Sequence, residues 1–376
     1  MKFTNLFVSL CLGVSSFLIS ASSASARELK LGVGLPPASA AAFGLDVFAK
    51  TIKEKSAGEL DVKIYPLSLL NLSQMFPGVR DGVVDIGFVL PPMFPSELPE
   101  SQLIPDLAML GTNSLAMAGA ATEYNFTCQE CLAERLKYNQ VYLGSSSSAP
   151  YMIMSTKKIS TIDEMKGKKL RSASATWTRW TQSFGSIAVS ISANEVFETM
   201  SQGTIDGTVQ SSVELSALRL IDVVKHITPA VSGGTYHGID INNFNRNTWR
   251  SLTDSQRKAV LDSAATSVAA VTWKYAIDSS RNLIEAQKKG IQFHQASPDL
   301  IARSKAFIES DLANVAQASE KKFGTKNTTQ KIERFRQLIA KWEKLTPTGS
   351  NMDISALAEI YNREIFSKID AKTYGL

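Results

Sequence analysis

Apolar positions along the chain fall into two alternating rhythms. Leu29 to Gly34 reads as a strand. Leu45, Phe48, Ala49 and Ile52 then recur at helical spacing, and Gly58 stands where that helix must stop. Leu60, Val62 and Ile64 alternate with charged residues, the period of a half-buried strand. A short helical segment leads to Gly82, and Asp85 to Leu90 gives a third strand. This β-α-β-α-β opening predicts a sheet covered by helices. The Pro-rich stretch that follows, PPMFPSELPESQLIP, is expected to be irregular.

A second unit repeats the logic. Strands are predicted at Val141–Gly144 and Tyr151–Met154, around a polar Ser145–Ser148 loop, and then at Lys169–Arg171, Ala188–Ile191 and Gly207–Gln210. Helices are predicted after the capping-box pair Thr161 and Glu164, over Thr176–Phe184, and from Ser192 with Glu195 to Gly203. From Thr253 the rhythm becomes helical throughout. Thr253 and Gln256 form a third capping box, and Val260, Ala264, Val268, Val271 and Tyr275 hold one stripe with no breaker before Gly290. The fold class is therefore α/β, with two consecutive units and one very long helix.

The N-terminus changes the compartment. Lys2, an apolar Leu6–Ile19 run and a small-residue exit ending Ala24-Ser25-Ala26 follow the order of a secretory signal peptide. The run is short of the roughly 20 residues a membrane span needs. Residues 1–26 are read as the signal peptide, and Cys11 inside its apolar run as leaving with it. The 350 residues that remain of 376 exceed the size of a single core, so two domains are expected. With 44% apolar and 20% charged residues the composition is that of an ordinary globular protein. The formal charge of +5 includes Lys2 and is too small to argue for nucleic acid, yet it favours approach of an anionic solute.

Two cysteines remain, Cys128 and Cys131. A thioredoxin-like pair needs a strand before it, and the flanks TEYNF and LAERLK read as helix. A zinc site needs about four ligands, and His226, His237 and His294 are not paired at ligand spacing. A local disulfide is the expectation, with free thiols the alternative. No cofactor and no metal are expected.

Several segments together resemble a known family. They are Phe48–Gly58 with Ile64-Tyr65-Pro66, Val79–Gly87, Lys166–Arg171, Phe184-Gly185, Asn194–Gly207, and Trp249–Leu252 with Gln256. In that order they resemble the solute-binding subunits of tripartite ATP-independent periplasmic (TRAP) transporters, of the dicarboxylate-binding type. The resemblance implies two α/β lobes joined by crossing hinge strands and a long connecting helix, closing on a small organic anion. It implies delivery to two membrane subunits, a periplasmic monomer, and no catalysis. It places lobe I at 27–150 plus about 238–275, and lobe II at 151–237 plus about 276–376.

The resemblance also implies site residues. The family's ligand-binding arginine matches Arg171, and the position of the Asn that often follows the Asp-Gly pair matches Gln210. By spacing alone Arg171 reads as an ion-pair residue. Trp177 and Trp180 lie one helical turn apart, either as a cleft wall or as a core stripe that Phe184 continues. Phe88, Tyr151 and Tyr236 are further candidates for the cleft, each also readable as packing. The chain departs from the family pattern at Ser172-Ala173, where proline is common, and at Pro66–Leu70, where a glycine turn is common.

A receptor for an ABC transporter or a sensor shares every feature above except the partner. A secreted enzyme is the more distant alternative, and the chain has no G-x-S-x-G, H-E-x-x-H or P-loop motif. Exported protein should begin at Arg27; intact-mass measurement of periplasmic material will detect this, and retention of residues 1–26 would contradict it.

Overall fold

The computed structural model describes residues 26–376 apart from 66, 68, 173, 230, 232, 350 and 351. The signal-peptide reading falls outside the described residues. Twelve strands are named in chain order: β1 Arg27–Gly32, β2 Leu60–Tyr65, β3 Ile86–Val89, β4 Gln140–Val141, β5 Ser145–Ser146, β6 Tyr151–Ser155, β7 Lys169–Ser172, β8 Ile187–Val189, β9 Gly207–Ser211, β10 His226–Thr228, β11 Ile239–Asn245 and β12 Gln292–Phe293. They form two six-stranded sheets. One runs β2-β1-β3-β11-β4, with β5 paired to β11; the other runs β12-β10-β6-β9-β7-β8.

The chain crosses between the sheets from β5 to β6 and returns from β10 to β11. The two crossings pair with each other. Pro150 bridges Thr235, Tyr151 N–H donates to the Gly234 carbonyl at 2.9 Å, and Ser148 N–H donates to that of Tyr236 at 2.8 Å. Gly234 has φ 75°, and a Cβ there would lie 2.5 Å from the Ala108 carbonyl oxygen, so only glycine fits. The expected polar loop at Ser145–Ser148 is thus a buried crossing, with all four serines at most 4% exposed.

The long helix Asp254–Lys288 has 35 residues, so it spans about 52 Å at 1.5 Å per residue. Its Thr253–Gln256 capping box is formed as the sequence predicts. Its first half buries Val260, Leu261, Ala264 and Val268 in the core of the first sheet. Its second half buries Ala286 with the second sheet, and Asn282 donates to the carbonyls of Ser212 and Val213. One rigid element therefore reaches both lobes.

The C-terminal boundary differs from the expectation. The helices Thr328–Leu345 and Ile354–Glu364 do not join the second lobe. Their Phe335, Trp342, Leu357 and Tyr361 are buried in the first core. The helix Ser114–Thr127 supplies a nearly continuous buried small-residue surface, and Gly119 leaves room for the Trp342 ring. The helix Pro298–Phe323 links the two, with Leu300 in the second core and Val315 in the first.

One central strand had no clear sequence signal. β11 reads IDINNFN and is buried over its whole length despite three asparagines; polar residues depress strand propensity, and only its central place in the sheet overrides this. Cys128 and Cys131 form the expected disulfide. Cys128 also caps the helix Gln129–Lys137, which the bend after Thr127 separates from the helix before it. Among the described residues, no helix is long and apolar enough to cross a membrane.

This packing has two measurable consequences. At Gly44, in the helix Ala40–Lys55, an added Cβ would meet Val271 Cγ2 at 2.1 Å and its backbone nitrogen at 2.8 Å. Overpacking against backbone costs about 1–3 kcal/mol and outweighs the roughly 1 kcal/mol that alanine gains in helix propensity. Gly44→Ala should lower the urea midpoint; an unchanged or higher midpoint would mean the two helices separate freely. The double Cys128→Ser, Cys131→Ser variant should bind solute as the parent does, because the disulfide closes only a tiny loop in lobe I. A tenfold loss of affinity would assign the pair a role in shaping the site.

Candidate functional site

Arg171 lies near the C-terminal end of β7, which runs parallel to both β8 and β9, with Val189 and Thr208 as its register partners. Strand ends of this kind are where ligands collect in α/β sheets. The side chain is only 8% exposed. Nη1 donates to Gln210 Oε1 at 2.7 Å, and Nε donates to the Ile191 carbonyl at 3.3 Å. Among the described residues, no hydrogen bond uses Nη2 and no carboxylate forms an ion pair with Arg171. Burial pushes the guanidinium pKa down, partly offset by Tyr151, Glu214 and Tyr236, yet a shifted guanidinium stays cationic near neutral pH.

The polar groups around it are incompletely paired. Thr208 and Gln210 point to one face of β9. Gln210 Nε2, Thr208 Oγ1 and Trp177 Nε1 are buried without a partner. Each such group costs about 1–3 kcal/mol, so the two on β9, beside the Arg171 guanidinium, mark a place suited to a polar occupant.

Aromatic rings form the wall. Tyr151 stacks on Trp177 with centroids 4.1 Å apart and planes at 21°. Tyr236, on the returning crossing, lies 6.4 Å from Trp177 and packs against both cores. Thr176 Oγ1 donates to the Asp106 carbonyl at 2.8 Å, which fixes the start of the helix Ala175–Ser183 against the first lobe. Burial holds the phenols of Tyr151 and Tyr236 far above their usual pKa, so both are neutral donors.

The sequence reading missed Glu214 and Tyr275. Glu214 opens the short helix Glu214–Ala217 that follows β9 and is half-buried. Burial pushes its carboxyl up to about 7, with Arg171 opposing the shift. Tyr275, on the long helix, feels the charge of Glu214 and neighbours Tyr151 electrostatically. The one sequence signal for Glu214 is its place just after the Gln210 strand, at a strand-to-helix junction. Tyr275 gave none beyond its place at the end of an apolar stripe.

The other predicted residues divide. Arg171 bonds Gln210, and Trp177, Tyr151 and Tyr236 pack with one another, with Tyr151 and Tyr236 within the field of Arg171. Phe88 does not join them; it sits in the first-lobe core at 2% exposure, because its strand β3 is buried on both faces. Trp180 is also packed away, its Nε1 donating to Ser304 at 3.1 Å and its ring 5.1 Å from Phe184, between two helices. Among the described residues, no group of three or more His, Cys, Asp or Glu side chains is placed to hold a metal.

Known proteins share this architecture. The family model for bacterial extracellular solute-binding protein, family 7, matches residues 32–319. A solute-binding protein of Albidiferax ferrireducens is 22% identical over 237 residues, covering 62% of this chain and 67% of that relative. A marine metagenome TRAP solute-binding protein specific for aromatic acid ligands, solved with metahydroxyphenylacetate, superposes with a TM-score of 0.75 at 23% identity, covering 84% of this chain and 99% of the other. A TRAP solute-binding protein from Rhodoferax ferrireducens T118, solved with copurified benzoate, has a TM-score of 0.74 at 20% identity, covering 85% and 99%. With the ordered motifs and two-sheet architecture matched over most of its length, this chain belongs to the family 7 bacterial extracellular solute-binding proteins.

Proposed function

We propose that this chain is the periplasmic receptor of a TRAP-type transporter, which closes its lobes on a small organic acid anion and passes it to two membrane subunits. The observation that carries the reading is Arg171: a buried guanidinium with Nη1 held by Gln210, Nε held by the Ile191 carbonyl and Nη2 unspent, beside an aromatic wall. A guanidinium offers parallel donors that match a carboxylate. Gln210 and Ile191 hold the fork before the ligand arrives, so little ordering is left for binding to bring about.

Each charge-assisted bond contributes about 1.5–3 kcal/mol, so two in a desolvated cleft account for about a thousandfold in affinity. The Tyr151–Trp177 stack gives an unsaturated solute a flat surface. The aromatic acids held by structural relatives agree with such a wall. Closure uses the paired crossings and the long helix, since hinge closure needs few backbone changes in segments that join two rigid sheets.

A thermal-shift screen of an organic acid library identifies the tightest solute, because a ligand raises apparent stability by mass action. Calorimetry on that acid then tests Arg171. Arg171→Lys should bind at least tenfold more weakly, since an ammonium is a point charge without the fork. Arg171→Ala should lose about a thousandfold, with circular dichroism unchanged. An Arg171→Ala protein that folds and binds within threefold of the parent would refute the assignment. Gln210→Ala, which frees the fork to rotate, supplies the same test if Arg171→Ala does not fold.

A further inference from the structure

The carboxylate of Glu214 has no role in the fold. Several other buried or half-buried acids of this chain are engaged: Asp240 by Arg135, Asp311 by Arg179, Glu134 by the backbone N–H groups of Glu100 and Ser101, and Glu123 by Lys341 and the Trp342 indole. Among the described residues, no hydrogen bond or ion pair ends on the Glu214 carboxylate, although its backbone carbonyl accepts from Leu218 N–H. It nevertheless stands within the field of Arg171, and its neighbours Tyr151 and Tyr275 come from β6 and the long helix. Gln210, on the strand that leads into Glu214, leaves its buried Nε2 unpaired in the same cluster. A cation with an unused Nη2 and an anion with unpaired oxygens thus lie at the C-terminal ends of neighbouring parallel strands, within each other's field and without a direct bond.

We infer that Glu214 determines specificity by accepting a hydrogen bond from the solute, so that the receptor selects monocarboxylates bearing a hydroxyl, amide N–H or ammonium group and rejects dicarboxylates. This rests on the reading that Arg171 takes the solute carboxylate. With that carboxylate on Arg171, the remainder of a small solute extends toward Glu214. A donor there satisfies a carboxylate that otherwise loses water for nothing, and a second carboxylate there meets a like charge in a desolvated cleft. A site that bonds a substrate donor discriminates strongly against the analogue lacking it, because its own polar group is left unpaired.

Protonation gives an independent handle. Glu214, pushed up to about 7, is largely neutral at pH 6 and largely ionised at pH 8. The charged and titratable groups that face it are Arg171 on β7, Tyr151 on β6 and Tyr275 on the long helix, and none of these changes charge in that interval. Raising the pH from 6 to 8 therefore adds negative charge at Glu214 alone. Donor-bearing acids, which gain a stronger acceptor, should hold or improve their affinity, and dicarboxylates should weaken.

Calorimetry with two matched series decides this: phenylacetate, mandelate, 3-hydroxyphenylacetate and isophthalate; and propionate, lactate and succinate. In the parent protein, at least one hydroxylated acid should bind tenfold or more tightly than its unsubstituted partner, with the dicarboxylates weakest. Glu214→Gln should bring the hydroxylated-to-plain ratio within threefold of one and improve dicarboxylate binding at least tenfold. An unchanged ratio, an equal shift for every acid, or a dicarboxylate as the tightest ligand of the parent would overturn the inference. An equal shift would make Glu214 a distant counter-ion of Arg171 only. Arg171→Ala separates the two readings: if it abolishes binding of all acids while Glu214→Gln leaves the ratios alone, the receptor assignment stands and this inference falls. If no acid binds the parent, both fall. Should Glu214→Gln fail to fold, the parent compared at pH 6 and pH 8 decides the matter, and a dicarboxylate affinity that does not drop at pH 8 contradicts the role.

Discussion

The buried pair of Arg135 and Asp240 is the interaction on which the rest of the structure depends. Nη2 of Arg135 donates to Asp240 at 2.6 Å, with the two side chains 1% and 2% exposed. Asp240 lies on β11, the strand into which the returning crossing runs, and it also accepts from the Ser145 hydroxyl at 2.8 Å on the outgoing crossing. Arg135 reaches the Ser101 hydroxyl, the Cys131 carbonyl at 2.9 Å and Asn125 at 3.3 Å, and its guanidinium lies 4.6 Å from the Tyr142 ring centroid. One ion pair thus ties both crossings to two helices and to the disulfide turn. Removing one partner of such a pair costs about 3–5 kcal/mol, since the other charge is left buried alone. A hydrophobic replacement of both would restore burial, but not the directional bonds that fix where the crossings begin.

Arg135 and Arg171 show how one residue type serves two ends. Both guanidinia are buried. Arg135 spends nearly all its donors within lobe I and is matched by a carboxylate, so it is structural. Arg171 is held by neutral acceptors and, among the described residues, has no ion pair, with Glu214 acting on it only through its field. A cation desolvated without a direct counter-ion is costly to the empty protein. In the proposed receptor, binding of an anion at Arg171 would remove that cost, and lobe closure would supply the desolvation that makes the bond strong.

The division of the long elements follows from the same logic. The helices Asp254–Lys288 and Pro298–Phe323 each touch both cores. The close approach of Gly44 and Val271 clamps the first half of the longer helix to lobe I. Its second half meets lobe II through Ala286 and Leu283 as well as through hydroxyls and Asn282. A tight apolar contact at its middle and a mixed apolar and polar one beyond it let the element act as a stiff spine rather than as a second core.

Several features were determined by the sequence itself. The alternation of Leu60, Val62 and Ile64, the stripe from Val260 to Tyr275 and the capping pairs at Ser192 and Thr253 are local, and each is realised in the described structure. The disulfide and the placement of Arg171 and Gln210 on strands were also legible, the first from a short spacing and the second from the strand pattern, whereas the pairing of those two strands was not. What the sequence left open depends on distant partners. β11 is a strand because the rest of its sheet makes room for it, despite its asparagines. The helices after residue 328 return to lobe I because Trp342 and Tyr361 find a matching small-residue helix there, not because of any period in their own sequence. Trp177 and Trp180 carry the same local signal, yet the first meets Tyr151 and the second Ser304. Glu214 comes within the field of Arg171 only because β7 and β9 are neighbours. Periodicity reports which face of an element is buried; which other element it is buried against is set by packing between segments tens or hundreds of residues apart, and that is where this site is decided.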